Sequence, residues 1–156
     1  MYKYLMQMEH LKGKIIHKRL QKEHFTKIGD LLFFEGSLMT LFKDAKNNNQ
    51  LFLFDWADSD ATYNRWLMYN VKPIDILNYL NLELTHLDLI KKSIAIYCVD
   101  IDIHLNFHNY QKIDFSNLPN PYLPADNCLF DKTECPDLAK IEAQIEKMLV
   151  LQTVGY

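Results

Sequence analysis

The sequence predicts an α+β domain: a mostly antiparallel sheet of about five strands, with helices at the N-terminus, in the middle and at the C-terminus. Three observations carry this expectation. Short runs rich in Leu, Phe, Tyr and Val recur between residues 28 and 107, with turn residues between them. Apolar residues spaced by three and four precede and follow those runs. Gly and Pro are scarce, four and five in 156 residues, which leaves no room for a long linker. One domain over 1–156 is expected, with a basic helix in 1–26 and an α+β body in 27–151.

Taken in order, residues 3–24 read as a helix, because Tyr4, Met8, Leu11 and Ile15 make one apolar stripe. From Lys27 the period changes. Residues 28–34, 38–43, 51–56 and 65–71 read as four strands of a meander, with Glu35-Gly36-Ser37 as the first turn. The loop 44–50 contains Asn47, Asn48 and Asn49, a residue type that tolerates positive φ. Pro73 suits the first turn of a helix that continues to Leu80. Thr85 can cap a second helix over 87–92, with Lys91 and Lys92 at its negative end. Residues 94–107 read as one long, bent strand. Pro119, Pro121 and Pro124 make 117–125 an extended connection, and Pro136 with Asp137 opens the final helix.

Charge is unevenly spread. Residues 1–28 hold seven Lys or Arg against Glu9 and Glu23, a net of +5, so the rest of a chain of net charge −3 holds −8. Lys12, Lys14, Lys18, Arg19 and Lys22 are candidate contacts for an acidic partner, nucleic acid or the acidic body of a second copy; a solvated helix face is the plainer reading. Three Cys and no leader-like apolar segment point to reduced thiols and a cytoplasmic setting. No apolar run is long enough to span a membrane.

The strand read over 96–108 alternates cleanly. Tyr97, Val99, Ile101 and Ile103 share one face, with Val99, Ile101 and Ile103 expected against a helix, and Asp100, Asp102 and His104 lie on the other, solvated face. Two carboxylates and an imidazole on one face could hold a divalent cation or do acid–base work, so these three are the candidates for a metal-dependent hydrolase or nuclease. The stretch from Asp55 to Asp60 reads as an acidic turn that lacks the Gly and the distal Glu of a calcium loop. Cys128 and Cys135 are too far apart in sequence for an ordinary zinc knuckle. The sequence contains no phosphate loop, dinucleotide fingerprint or nucleophile elbow. No cofactor is expected, and catalysis is not the favoured reading.

The run 29–42, GDLLFFEGSLMTLF, with Leu53-Phe54-Asp55-Trp56-Ala57-Asp58, 65–71 and the Leu-Pro…Tyr-Leu-Pro of 118–124, resembles small bacterial proteins grouped as a domain of unknown function. The resemblance covers roughly residues 27–125. Ser37 stands where that pattern has Pro, and the basic helix before it is additional. The resemblance assigns no active site. It implies a bacterial accessory protein, a companion of a larger effector as in antiphage defence or toxin–antitoxin pairs. The expected partner is therefore another protein, either a larger effector or a second copy.

Overall fold

The computed structural model describes residues 25–34, 36–46, 48–59, 62–102, 104 and 106–153. Among them, six strands form one antiparallel sheet in sequence order: β1 (Phe25–Phe33), β2 (Ser37–Asp44), β3 (Gln50–Ser59), β4 (Tyr63–Val71), β5 (Ile96–Asp102) and β6 (Phe107–Ile113). Two helices, α1 (Pro73–Leu80) and α2 (His86–Lys92), connect β4 to β5, and α3 (Leu138–Thr153) closes the described chain. The fold is thus α+β and mostly antiparallel, with six strands rather than five. The helix expected over 3–24 lies outside the described residues.

Local chemistry explains most boundaries. Asn48 and Asn49 take φ of 56° and 59° in the β2–β3 turn, a conformation that Asn accepts at low cost. Pro73 begins α1, where a missing N–H loses nothing. Thr85 and Asp88 form a reciprocal capping box on α2. The final helix starts at Leu138, two residues after Pro136, and the Ile141 N–H donates to the Asp137 carbonyl. The proline-rich connection is not extended throughout; it holds two 3-10 turns, Phe115–Asn117 and Asn120–Tyr122.

Three sequence expectations fail here. The long strand over 94–107 is two strands joined by a hairpin. Apolar alternation continues through Ile103 and Leu105, which hid the turn, but Asp102 accepts the N–H groups of His104 (2.8 Å) and Asn106 (2.9 Å) and closes the chain on itself. The acidic stretch at Asp55 is not a turn: β3 runs on to Ser59, and Asp55 is buried. The third failure concerns which face of β5 meets the helices.

The sheet has two apolar faces. Leu41, Leu53, Tyr69 and Ile96 lie side by side across β2–β5 and pack with Ile76 and Tyr79 of α1, Ile90 of α2, and Ile141 and Ile145 of α3. The alternate residues Phe42, Phe52, Phe54, Trp66, Met68, Val99 and Ile101 form a second buried cluster, to which no described helix contributes. Val99 and Ile101 are buried as expected, but no described helix residue belongs to their cluster, and Ile103 lies outside the described residues. Asp100 points to the helix side and is fully buried. Period two says which residues share a face, but when both faces are apolar it does not say which one the helices choose.

β1 is the strand that α3 approaches most closely. A Cβ on Gly29 would stand 2.7 Å from Asp137 Cβ and 2.9 Å from Ile141 Cγ1, so glycine is required there by close packing. The Asp30 N–H donates to Asp137 Oδ2 at 2.8 Å, and Cys135 Sγ donates to the Asp30 carbonyl at 3.3 Å. The segment before α3 is thereby fastened to the sheet.

Candidate functional site

Asp100 is the centre of a closed polar cluster. Register places it beside Arg65 of β4, whose Nε and Nη2 donate to its two oxygens at 2.7 and 2.8 Å. Asn109 of β6 donates a third bond at 2.6 Å. The guanidinium also donates to the hydroxyl of Tyr122, which the proline-rich segment brings over the sheet, and lies 5.6 Å from the centres of the Tyr63 and Tyr122 rings. The bond to Asp100 leads the influences that raise the Arg65 pKa. This fork geometry compensates the carboxylate for lost water, which is why it is buried rather than solvated.

Asp102 has another task. Its carboxylate accepts the two hairpin N–H groups, Asn106 Nδ2 at 3.3 Å and His108 Nε2 at 2.7 Å. Desolvation pushes its pKa up, but the Asn106 N–H, the His108 side chain and the His104 N–H together outweigh this and hold it at about 2. His104 is exposed. Asp100, Asp102 and His104 therefore do not converge on a common point, and Asp100 already holds three donors. Among the described residues, no group of three or more His, Cys, Asp and Glu is placed to hold a metal ion. Cys98, Cys128 and Cys135 are free thiols. Lys12, Lys14, Lys18, Arg19 and Lys22 lie outside the described residues.

The structure adds a cluster that sequence reasoning missed. His86 at the start of α2 pairs through Nε2 with buried Asp55 of β3, and the Tyr69 hydroxyl donates to the same Asp55 oxygen at 3.1 Å. Burial pushes the His86 pKa down, but the Asp55 charge and hydrogen bond reverse this and raise it. Burial, reinforced by Asp55, pushes Tyr69 well above the ordinary range. Asp55 and His86 line a cleft of about 200 Å³, together with Trp56, Pro121, Tyr122 and Pro124. One signal was available: Asp55 follows Leu51 and Leu53 at period two, on the core side of β3.

A larger recess than this cleft lies at the other end of the sheet. A groove of about 610 Å³ runs between the Asn48–Asn49 turn, the β4–α1 junction at Val71–Pro73, Ile94, and Met148 and Leu151 of α3. Ile94 stands at its edge with 78% of its surface exposed. The loop that presents it is rigidly held. The buried Asn70 Oδ1 accepts the Ser93 hydroxyl at 2.6 Å, the Ile94 N–H at 3.1 Å and the Ala95 N–H at 2.9 Å. No described helix is long and apolar enough to cross a membrane. Comparison with family models, curated proteins and solved structures finds no match, so the resemblance to bacterial proteins of unknown function rests on the quoted residues alone.

Proposed function

We propose that this chain is a non-catalytic interaction or regulatory subunit of a multi-protein system, and that it engages a protein partner through the groove beside Ile94. The observation that carries this reading is the exposed isoleucine on a loop pinned by one buried amide. An apolar side chain presented in one geometry binds without first being ordered, which is what a contact anchor needs. Leu151 is likewise exposed on the groove wall, and the amides of Asn48 and Asn49 with Lys72 form a polar rim. The fitting partner inserts an apolar side chain and hydrogen-bonds that rim. The resemblance extends the proposal to a bacterial system, such as antiphage defence or a toxin–antitoxin pair.

The competing metal-dependent reading asks Asp100 to release Arg65 and Asn109 before it can ligate. The geometry favours the interaction reading for that reason. The test is co-purification from the native host with wild type and Ile94→Asp. One partner retained by wild type and lost by a stably folded Ile94→Asp is the expected result. A stable monomer that recovers no partner, or a partner held equally by both, overturns it.

A further inference from the structure

Asp30 and Asp100 are satisfied at both carboxylate oxygens. Asp30 takes the Thr40 hydroxyl on one and Lys27 Nζ on the other, and Arg65 reaches both oxygens of Asp100. Asp55 differs. The His86 ring and the Tyr69 hydroxyl both meet its Oδ2, and among the described residues no donor meets its Oδ1. Yet Asp55 exposes only 6% of its surface, and with His86 it lines the cleft of about 200 Å³. A buried acceptor without a donor is uncommon, and a bound group is one way to satisfy it. We propose that this cleft binds a primary alkylammonium group, with the ammonium donating to Asp55 Oδ1 and the alkyl stem against the apolar walls.

The lining selects this class. Leu32, Ala57, Pro121, Leu123 and Pro124 are apolar neighbours of the one carboxylate. A lysine side chain matches that composition, with a flexible methylene stem and a compact charge. Its five terminal heavy atoms, at about 30 Å³ each (the share of one water in the liquid), need about 150 Å³ and fit. A guanidinium pairs best with two oxygens side by side, and only one is open here. The net charge of −8 on residues 29–156 draws cations towards this body.

His86 sets the condition for binding. Its ring meets Asp55 of β3, with the Tyr69 hydroxyl of β4 on the same oxygen and the Tyr79 ring of α1 beside it, and its N–H donates to the Cys128 carbonyl. Burial holds both tyrosines above their ordinary range, so neither is ionised near neutrality. Arg65, on Tyr122 at the cleft wall, is already paired with Asp100. A proton on His86 neutralises Asp55 and repels the ammonium. The neutral ring can still donate from Nε2 and leaves a net negative floor. Burial lowers the His86 pKa, but Asp55 outweighs this and raises it above 6.5, so binding strengthens as pH rises through that value. The site lies at the other end of the sheet from the Ile94 groove and stands whether or not that groove binds protein.

The test is a titration of the isotope-labelled full chain, read on the His86 imidazole nitrogens, which are assigned by their loss in His86→Gln. The probes are Nα-acetyl-lysine methylamide, n-pentylammonium, and Nα-acetyl-norleucine methylamide, which keeps the stem without the charge. A saturable shift with one or both amines and none with the norleucine amide is expected. Binding of the lysine amide alone assigns the site to a peptide side chain, and of pentylammonium alone to a free amine. The affinity should rise several-fold with pH through the titration of His86, and Ala57→Leu, which narrows the cleft and keeps Asp55 and His86, should abolish binding. No saturable shift with either amine, an equal shift with the norleucine amide, or an affinity that is flat or falls with pH overturns the proposal. So does undiminished binding in a folded Ala57→Leu. The wild-type titrations decide it even where that variant does not fold.

Discussion

On the helix-covered face of the sheet, charged side chains are buried in pairs; on the opposite face, the buried cluster is almost wholly aromatic and aliphatic. Arg65 with Asp100 and His86 with Asp55 both lie under helices or the proline-rich segment. The far face holds Phe42, Phe54 and Trp66, with the Thr40–Asp30 hydrogen bond (2.6 Å) near its edge. The difference shows where fold specificity resides. The aromatic face needs only volume and contact, and many apolar sets would fill it. The helix-side pairs need one register and one docking geometry, because a slip of one residue would leave a carboxylate buried and alone.

The sharpest way to break this comparison is to remove one member of a pair. Asp100→Ala strands the Arg65 guanidinium and is expected to cost about 3–5 kcal/mol in urea unfolding. The double variant Arg65→Met/Asp100→Leu should recover most of that loss, since an apolar pair of similar volume leaves no unpaired charge behind. A cost below about 0.5 kcal/mol for Asp100→Ala, the range of a plain surface site, would return Asp100 to the solvent.

A second measurement asks whether both faces are true core. Ile101→Ala on the aromatic face and Ile145→Ala on the helix face should each cost about 2–5 kcal/mol, because both side chains are fully enclosed. A much smaller value for Ile101 alone would mean that the aromatic face collapses or opens freely. Next in size is Gly29→Ala. The added methyl meets Asp137 and Ile141 and should cost about 1–3 kcal/mol, read as a lowered thermal midpoint.

The smallest effects are those of pH, and the two carboxylate–histidine pairs should differ in sign. His86 has a raised pKa in the folded state, so its contribution is complete below the unfolded value near 6.5 and is lost as pH rises through the folded value. Asp102 has a lowered pKa, so its contribution is complete above about 4 and is lost as pH falls towards 2. Stability curves should therefore lose their alkaline slope in His86→Gln and part of their acid slope in Asp102→Asn. An unchanged alkaline slope in His86→Gln would show that the His86–Asp55 pair is neutral.

Elements with local signatures were legible from sequence: the Asn turn after β2, Pro73 at α1 and the Thr85 cap of α2 all stand where short-range chemistry places them. The β5–β6 hairpin was not, because Ile103 and Leu105 continue a strand pattern through a turn that Asp102 makes with its side chain. Among the site residues, Asp100 was singled out but given the wrong role. Its partners Arg65 of β4 and Asn109 of β6 lie 35 and 9 residues away along the chain, and Tyr122, which accepts from Arg65, lies 57 residues from that arginine. Asp55 and His86 were missed for the same reason, lying 31 residues apart.

By itself, the sequence determined the α+β class, the antiparallel meander, the helix starts and the sets of side chains that share a strand face. Those features depend on periods of two and 3.6 residues and on turn chemistry spanning a few positions. Only the tertiary structure decided which sheet face the helices cover, which carboxylates are buried, and which arginine, histidine and tyrosines complete them. These choices turn on long-range contacts, where the desolvation of a charge is offset by a partner that no local pattern names.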